Sequence, residues 1–423
     1  MEESACNIVL RLPELLELVM WQLKDDEETL QSALRVNKAW AREAIDVLWD
    51  KPSVARLSAF DGDDESLQFY CRLVRELEIE EYDDETGPDY TRLQDLNFPR
   101  LNRFRVSDCR SPPYEGDRIL VGQFIRPALE EFAFYGNEPP EDIFDLLGTR
   151  CPRLKSISIC FRSRTQQILI SRGLKDFLEN CKSLKSIRLP AGITDEFVDY
   201  DLFECIALYD GLEELSLDQL LDCTKLNKLI EETEESSQTL QSFNNLRFLS
   251  IDIFSTAVPQ LVTLIKSVTS LSLTVRNDGI CPLLYVSSLV NLQELNIRYT
   301  DSAQEVVWQS THFRTLSKLK NLRKLMIRTG SITIDCPTLT DADFISIFVD
   351  MKELQKLAFI VNCNLSETAI TSLGKHCPQL ISLHISGIYD LHCWRNVASP
   401  IFPKLQHLTL GKVVDSTYEG EEE

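Results

Sequence analysis

The stretch Leu212-Glu213-Glu214-Leu215-Ser216-Leu217 contains the pattern on which the fold of this chain depends. Its apolar residues occupy the first, fourth and sixth places. Leu405-Gln406-His407-Leu408-Thr409-Leu410 repeats this phrase near the end of the sequence. The last two apolar residues alternate with polar ones, as in a short strand that buries one face. Each phrase therefore predicts a short strand.

Looser copies of the phrase recur along most of the chain. They begin at Val74, Leu101, Leu129, Leu154, Leu184, Leu212, Leu246, Val268, Leu292, Leu322, Leu354, Leu380 and Leu405. The mean spacing is about 28 residues, which is typical of strand-and-helix repeats. Helix-compatible segments lie between the phrases. From Leu174 to Cys181, for example, apolar residues recur at positions i, i+3, i+4 and i+7.

Such a unit cannot bury its apolar face alone, so successive units must stack. Stacking aligns the strands into a parallel sheet and places the helices on its outer face. The predicted fold class is therefore α/β, a curved solenoid with helices on the convex face. The pattern resembles the cysteine-containing subclass of leucine-rich repeats over about residues 70 to 412. Cys151-Pro152 and Cys377-Pro378 precede strands, where we expect each cysteine to be a small buried residue.

Composition argues against several function classes. The 423 residues include 66 acidic and 44 basic ones, which gives a net charge of -22. A charge of this sign disfavours binding to nucleic acids and to anionic membranes. No Cys-x-x-Cys pair occurs among the 13 cysteines, and no phosphate loop or nucleophile elbow is present. We therefore expect no metal, no cofactor and no enzymatic activity. Without a signal-like start or a membrane-length apolar run, the protein is expected in the cytoplasm, the nucleus or both.

The first 50 residues have a different pattern, that of three short helices. An apolar helix over residues 12 to 23 starts with Leu12-Pro13, and an acidic turn follows at residues 25 to 28. A second apolar set, which comprises Leu30, Ala33, Leu34 and Val36, keeps helical spacing, and a third segment runs from Lys38 to Leu48. So small a bundle leaves large apolar groups that must face the first repeat or another protein.

This order of features resembles the F-box motif, and Val36-Asn37-Lys38-Ala39-Trp40 and Leu48-Trp49 complete the match. The resemblance implies binding to a Skp-type adaptor, which links to a cullin scaffold. The positions that match adaptor contacts are Leu12, Pro13, Leu16, Val36 and Trp40. Asn37 departs from the motif, which usually has cysteine there. The alternative is a cap that only shields the first repeat.

The predicted organisation is a helical module at residues 1–50, a connecting segment or capping repeat at 51–73, a solenoid at 74–412 and an acidic tail at 413–423. An F-box followed by leucine-rich repeats resembles the substrate-recognition subunit of a Skp/cullin/F-box ubiquitin ligase, in which other subunits perform the chemistry. Two alternatives stay open. One is an interaction scaffold without a ligase role, and the other is a GTPase-activating protein of the leucine-rich-repeat type.

Alternation of side chains predicts which residues face the open side of the sheet. In each phrase these are the third, fifth and seventh residues. The first phrase offers Glu76, Glu78 and Glu80, and the second offers Arg103, Arg105 and Ser107. Opposite charges on neighbouring strands should attract each other.

Three phrases near the carboxyl end offer cations on this open side. Arg298 should lie beside Arg328, and Lys324 beside Lys356, with Tyr299 close by. Adjacent like charges are unfavourable unless an anion compensates them. We therefore predict a target-binding surface for an acidic or phosphorylated segment. It consists of Arg298, Lys324, Arg328, Lys356, His384 and His407. The alternative is a solvated face on which Glu294 pairs with Lys324.

Overall fold

A computed structural model provides the fold. It describes residues 12–81, 93, 95–108, 121–136, 139–140, 142–161, 167–190, 198–235, 242–300, 306–330, 333–390 and 400–414. The chain forms two compact units, Met1–Leu184 and Lys185–Glu423. The acidic tail predicted at residues 413–423 falls largely outside the described residues, since strand structure continues to Val414 and the description ends there.

The first unit begins with helices and continues with parallel strands. Its elements are α1 Pro13–Gln22, α2 Glu27–Ala33, α3 Lys38–Leu48, α4 Val54–Ser58, α5 Asp64–Cys71, β1 Glu76–Glu81, β2 Arg103–Asp108, β3 Glu131–Gly136, α6 Ile143–Arg150, β4 Ser156–Phe161 and α7 Gln167–Asn180. Strands β1 to β4 pair in sequence order, and each pair is parallel. The segment predicted to connect the module to the repeats therefore contains two helices of its own, α4 and α5.

The second unit alternates strands with helices. Its elements are β5 Ser186–Leu189, α8 Tyr200–Ala207, β6 Glu214–Leu221, α9 Cys223–Glu235, β7 Phe248–Phe254, α10 Val258–Leu264, β8 Ser270–Arg276, α11 Leu283–Val286, β9 Glu294–Tyr299, β10 Val306–Val307, α12 Ser310–Arg314, β11 Lys324–Thr329, β12 Ile334–Asp335, α13 Asp341–Phe348, β13 Lys356–Phe359, α14 Glu367–His376, β14 Ser382–Asp390 and β15 His407–Val414. The strand order is β5-β6-β7-β8-β9-β11-β13-β14-β15, while β10 pairs with β12 separately.

The repeated phrase accounts for these strands. Apart from β10 and β12, each of these strands begins two residues after the first residue of a phrase, as β6 does after Leu212. The leading residues from Val74 to Leu380 are all buried. In most phrases, the carbonyl of the residue after the leading one accepts two N–H groups from the following phrase. The Gln293 carbonyl, for example, accepts from the N–H groups of Arg323 and Lys324. The predicted α/β architecture of stacked strand-and-helix units is thus confirmed.

The cysteine-proline pairs occupy the predicted structural positions. Cys151 follows α6 and Cys377 follows α14, and both side chains are buried. The Cys151 thiol donates to the Arg126 carbonyl at 3.2 Å. Burial raises the pKa of both thiols to about 12, so they stay protonated at neutral pH. These cysteines pack between repeats, as expected from their spacing.

Three helices form a small bundle at the start of the first unit. Helix α3 packs against both α1 and α2. The buried core of this bundle consists of Leu16, Met20, Leu30, Ala33, Ala44 and Val47. Asn37, the residue that departs from the F-box pattern, caps α3. Its Oδ1 accepts hydrogen bonds from the Ala39 and Trp40 N–H groups at 2.9 and 3.0 Å.

This bundle continues the backbone ladder of the repeats. The Asp50 carbonyl accepts the N–H groups of Arg75 and Glu76, which is the bond pattern found between successive repeats. The Arg75 guanidinium lies 2.9 Å from Asp46, 3.1 Å from Asp50 and 5.2 Å from the centre of the Trp21 ring. The module therefore takes the place of a repeat in front of β1. The capping role that the sequence left open as an alternative is present in the structure.

Substitution of Asn37 tests the cap of α3. In Asn37→Ala we expect a loss of about 1 kcal/mol in unfolding free energy, because two N–H groups lose their acceptor. Asn37→Ser keeps an acceptor and should retain most of the stability. Urea denaturation followed by circular dichroism measures both variants. Equal midpoints for the alanine variant and the unaltered chain would contradict this assignment.

Two helical glycines should respond in opposite ways to alanine. A Cβ at Gly374 in α14 would lie 2.5 Å from the carbonyl oxygen of Ile401, whereas at Gly148 in α6 the nearest atom is 3.5 Å away, on Phe177. Alanine favours a helix over glycine by about 1 kcal/mol. We expect Gly148→Ala to raise the unfolding free energy, and Gly374→Ala to lower it by about 1 to 3 kcal/mol through overpacking. Thermal denaturation of the pair measures the two signs, and a gain in both would show that Ile401 yields easily.

Candidate functional site

The open face of the first unit is electrically neutralised by pairs across its strands. Arg103 on β2 lies 2.5 Å from Glu76 and 3.1 Å from Glu131, on the strands either side. Arg105 lies 3.2 Å from Glu78. The predicted attraction between the first two strands is confirmed. Exposed pairs of this kind contribute little stability each, but they satisfy the charges of this face locally.

The open face of the second unit carries the set of cations predicted from the sequence. We call Arg298, Lys324, Arg328, Lys356, His384 and His407 the basic strip. Strand register places Arg298 opposite Arg328, and Lys324 opposite Lys356. Adjacent parallel strands are about 4.8 Å apart, so each pair holds two positive charges close together. Both predicted lateral contacts are confirmed.

Only part of the basic strip is compensated by nearby carboxylates. Lys324 lies 3.4 Å from Glu294, which is the pairing expected for an ordinary solvated face. Among the described residues, no ion pair involves Arg298, Arg328 or Lys356. These three side chains belong to neighbouring strands, and both arginines are exposed. The strip thus presents positive charge for which the described part of the chain supplies little compensation.

His384 contributes less charge to the basic strip than the arginines do. His384 aligns with Ala358, and His407 aligns with Ser382. Burial, together with the positive charge of Arg328, lowers the pKa of His384 below its ordinary value of 6.5. His384 is therefore mostly neutral at pH 7 and offers a hydrogen bond at the edge of the strip. Positive charge in the strip comes chiefly from arginine and lysine.

The structure contradicts one expectation for this face. Tyr299 was expected beside the cations, but its side chain is buried on the opposite side of the strand. There its ring meets the Trp308 ring at a centroid distance of 5.7 Å. Tyr299 follows Arg298 directly, and successive side chains in a strand point to opposite faces. It therefore belongs to the core.

An acidic residue on the same face was not found by sequence reasoning. Asp252 on β7 aligns with Thr274 on β8, and Thr274 aligns with Arg298 on β9. Burial and the charge of Asp218 raise the pKa of Asp252 above its ordinary value. The Thr274 hydroxyl, which donates to its carboxylate, and the charges of Arg276 and Arg298 lower this pKa in part. Asp252 occupies the seventh place of its phrase, so the alternation rule marks it as open-face. The target-binding surface predicted from the sequence runs from β9 to β15 and therefore omits β7.

The helical module presents a second candidate surface. Leu12, Pro13 and Val36 are exposed, with 46% exposure for Leu12 and 56% for Val36. Leu15 and Val19 are exposed on α1 and share a helical face with Leu12. We call Leu12, Pro13, Leu15, Val19 and Val36 the module surface. Several exposed aliphatic side chains on so small a bundle are typical of a protein-binding module.

Two of the predicted adaptor-binding residues lie deeper. Leu16 is 1% exposed and belongs to the bundle core, so its side chain is not part of the module surface. Trp40 is half-buried and packs against the same core. On α1, positions 12 and 16 lie one turn apart, and the sequence pattern alone does not separate the last core residue from the first surface residue.

Two further kinds of feature were looked for in the described residues, a membrane-spanning helix and a metal-binding cluster. Within them, no helix has the length and apolar character needed to cross a membrane. The same residues contain no group of three or more His, Cys, Asp or Glu side chains placed to hold a metal ion.

Comparisons with known proteins add little to this picture. Neither protein-family profiles nor curated proteins match the sequence. Among solved structures, an internalin from Listeria monocytogenes is similar at 17% identity, with a TM-score of 0.36. The matched region covers 80% of this chain and 88% of the internalin. Similarity at this level does not bear on function.

Proposed function

We propose that this protein is the substrate-recognition subunit of a Skp/cullin/F-box ubiquitin ligase. The helical module would bind a Skp-type adaptor, and the adaptor would connect the chain to a cullin scaffold. The repeats would hold a target protein on their open face. In this role the chain is not itself an enzyme, and it works in the cytoplasm, the nucleus or both.

The observation that carries the adaptor half of the proposal is the exposure of the module surface. Capping the first strand uses Asp50 and Arg75, which leaves Leu12, Pro13 and Val36 uncovered within the described residues. A cap alone has no need of exposed aliphatic side chains, because water contact with them is unfavourable. A partner that covers them would gain about 25 cal/mol for each Å² of apolar area removed from water.

The target half of the proposal rests on the basic strip. Repeats with a broad open sheet face commonly bind other proteins there. Positive charge that the described residues leave uncompensated supports an acidic or phosphorylated segment as the ligand, since charge-assisted hydrogen bonds to arginine are the stronger ones. Because the whole chain has a strongly negative net charge, an anionic segment is attracted to this local positive region and repelled by most of the remaining surface.

A charge placed on the module surface tests adaptor binding. We expect Val36→Glu to weaken binding of a purified Skp-type adaptor at least tenfold, because an unpaired carboxylate would be buried in an apolar interface. Val307→Glu is the matched control, since Val307 is 63% exposed and lies in the second unit. Surface plasmon resonance with immobilised adaptor measures both. Equal affinities for the two variants, or no adaptor binding by the unaltered chain, would refute the adaptor role.

Two alternatives predict different results in the same preparation. An interaction scaffold would capture target proteins from cell extract without adaptor or cullin. A GTPase activator would accelerate GTP hydrolysis by a Ran-type GTPase in a single-turnover assay. The ligase receptor should co-purify adaptor and cullin and leave the hydrolysis rate unchanged.

A further inference from the structure

On the open face of the second unit, charges of opposite sign lie at the two ends of a line that crosses four neighbouring strands. Strand register places Asp252, Thr274, Arg298 and Arg328 along one line that crosses β7, β8, β9 and β11. Three strand steps of about 4.8 Å separate Asp252 from Arg328, which amounts to about 14 Å. The acidic group and the arginines thus sit at a defined separation on one face.

The two ends do not neutralise each other by direct contact. Uncharged Thr274 stands between Asp252 and Arg298, and its hydroxyl bonds to the Asp252 carboxylate. Among the described residues, no ion pair joins Asp252 to an arginine. Asp218 lies close enough to act on Asp252 with the same sign, while Arg276 and Arg298 act on it from a distance with the opposite sign. The face carries a fixed separation of charge.

The first unit shows what the same residue types do when they are adjacent. There Arg103 and Arg105 stand one strand away from Glu76 and Glu78, and they form ion pairs directly. Along the line from Asp252 to Arg298, by contrast, the uncharged Thr274 occupies the intervening strand position. Charges that are separated in this way stay available to a partner, and they favour a partner with the complementary arrangement.

We propose that this face binds an extended segment carrying an acidic or phosphorylated residue for Arg298 and Arg328 and, about four positions away, a basic residue for Asp252. The inference rests on the proposed target-binding role of the repeats. An extended chain advances about 3.3 to 3.6 Å per residue, so four residues span about 14 Å. Side chains four positions apart in an extended segment also point to the same side. Spacings of three or five would direct one of the two charges away from the face.

Selection from a random twelve-residue peptide phage library on the immobilised full-length chain tests this inference. Enriched peptides should share an acidic and a basic residue four positions apart. Their enrichment should disappear on R298E/R328E. On Asp252→Lys, the basic residue should be replaced by an acidic one at the same spacing. This change of preference is a gain of binding, which a misfolded variant could not produce.

A synthetic version of one enriched peptide measures the spacing directly. Moving its basic residue one position further should weaken binding to the unaltered chain at least fivefold by fluorescence anisotropy. Asp252→Asn should abolish this difference. Peptides that depend on Arg298 and Arg328 but show no fixed basic position, or an unchanged preference on Asp252→Lys, would overturn the inference. Absence of any enrichment that depends on these arginines would overturn it as well. Adaptor binding is measured in a separate experiment, so a negative result with the peptides would not by itself refute the proposed adaptor-binding role.

Discussion

R298E/R328E is expected to weaken binding of an acidic or phosphorylated target segment by about 100-fold. Each lost charge-assisted hydrogen bond removes about 1.5 kcal/mol or more, and 1.4 kcal/mol corresponds to a factor of ten in affinity. The two arginines lie opposite each other on β9 and β11, so one anionic group can contact both. The substituted glutamates would also repel the ligand. Fluorescence anisotropy with an anionic peptide selected on the unaltered chain measures the loss.

A matched control variant distinguishes an effect of the binding site from an effect of the changed net charge. Lys318→Glu together with Lys352→Glu changes the net charge by the same amount, and both lysines are exposed. Lys318 ends a 3-10 helix and Lys352 lies in a turn before β13, so neither belongs to the open face. The control should lower affinity less than threefold at 0.15 M salt, where exposed charges are screened over about 8 Å. Equal losses in both double variants would remove the basic strip as the binding site.

Alanine at the same place of two phrases should have very different effects on stability. Leu325 on β11 is 0% exposed, whereas Leu408 on β15 is 44% exposed. Leu325→Ala is expected to lower the unfolding free energy by about 2 to 5 kcal/mol, because it leaves a cavity between stacked repeats. Leu408→Ala removes fewer contacts and should cost less than about 1 kcal/mol.

Urea denaturation of the full chain, followed by circular dichroism, measures the difference. A lower transition midpoint is expected for Leu325→Ala, with Leu408→Ala close to the unaltered chain. Glu294→Ala, an exposed position of the neighbouring strand, serves as the control for strand propensity. Similar losses for both leucine variants would mean that Leu408 is buried as deeply as Leu325, contrary to its exposure in the structure. A small loss for Leu325→Ala would contradict the stacked core itself.

The helical module shows where sequence reasoning reaches its limit. The Leu-Pro start and the three helical segments were predicted, and helices are found at each of them. Leu12 and Leu16 nevertheless have opposite environments, one exposed and one buried. Leu12 precedes α1 and Leu16 lies one turn further on, and packing of the bundle decides which of them is covered. The role of Asp50 and Arg75 in joining the module to β1 had no sequence signal, because it depends on a backbone carbonyl.

Charge on the open faces likewise depends on neighbours. Alternation predicted which residues point outward, and the phrases predicted that Arg298 would lie beside Arg328. Whether an outward-facing charged residue forms an ion pair depends on the residues aligned with it on the adjacent strands. Arg103 meets Glu76 and Glu131, whereas Arg298 has Thr274 on one side and Arg328 on the other. The acidic end at Asp252 emerges only when four strands are aligned.

By itself, the sequence determined the repeating strand, its buried leucines and the order of the repeats. These follow from local spacing, since a residue two places along a strand always shares its face. Tertiary structure alone decided which charges stay uncompensated, which module leucines are covered and how the module joins the repeats. Those properties arise between residues far apart in the chain, and their energies depend on distances of a few ångströms that only packing sets.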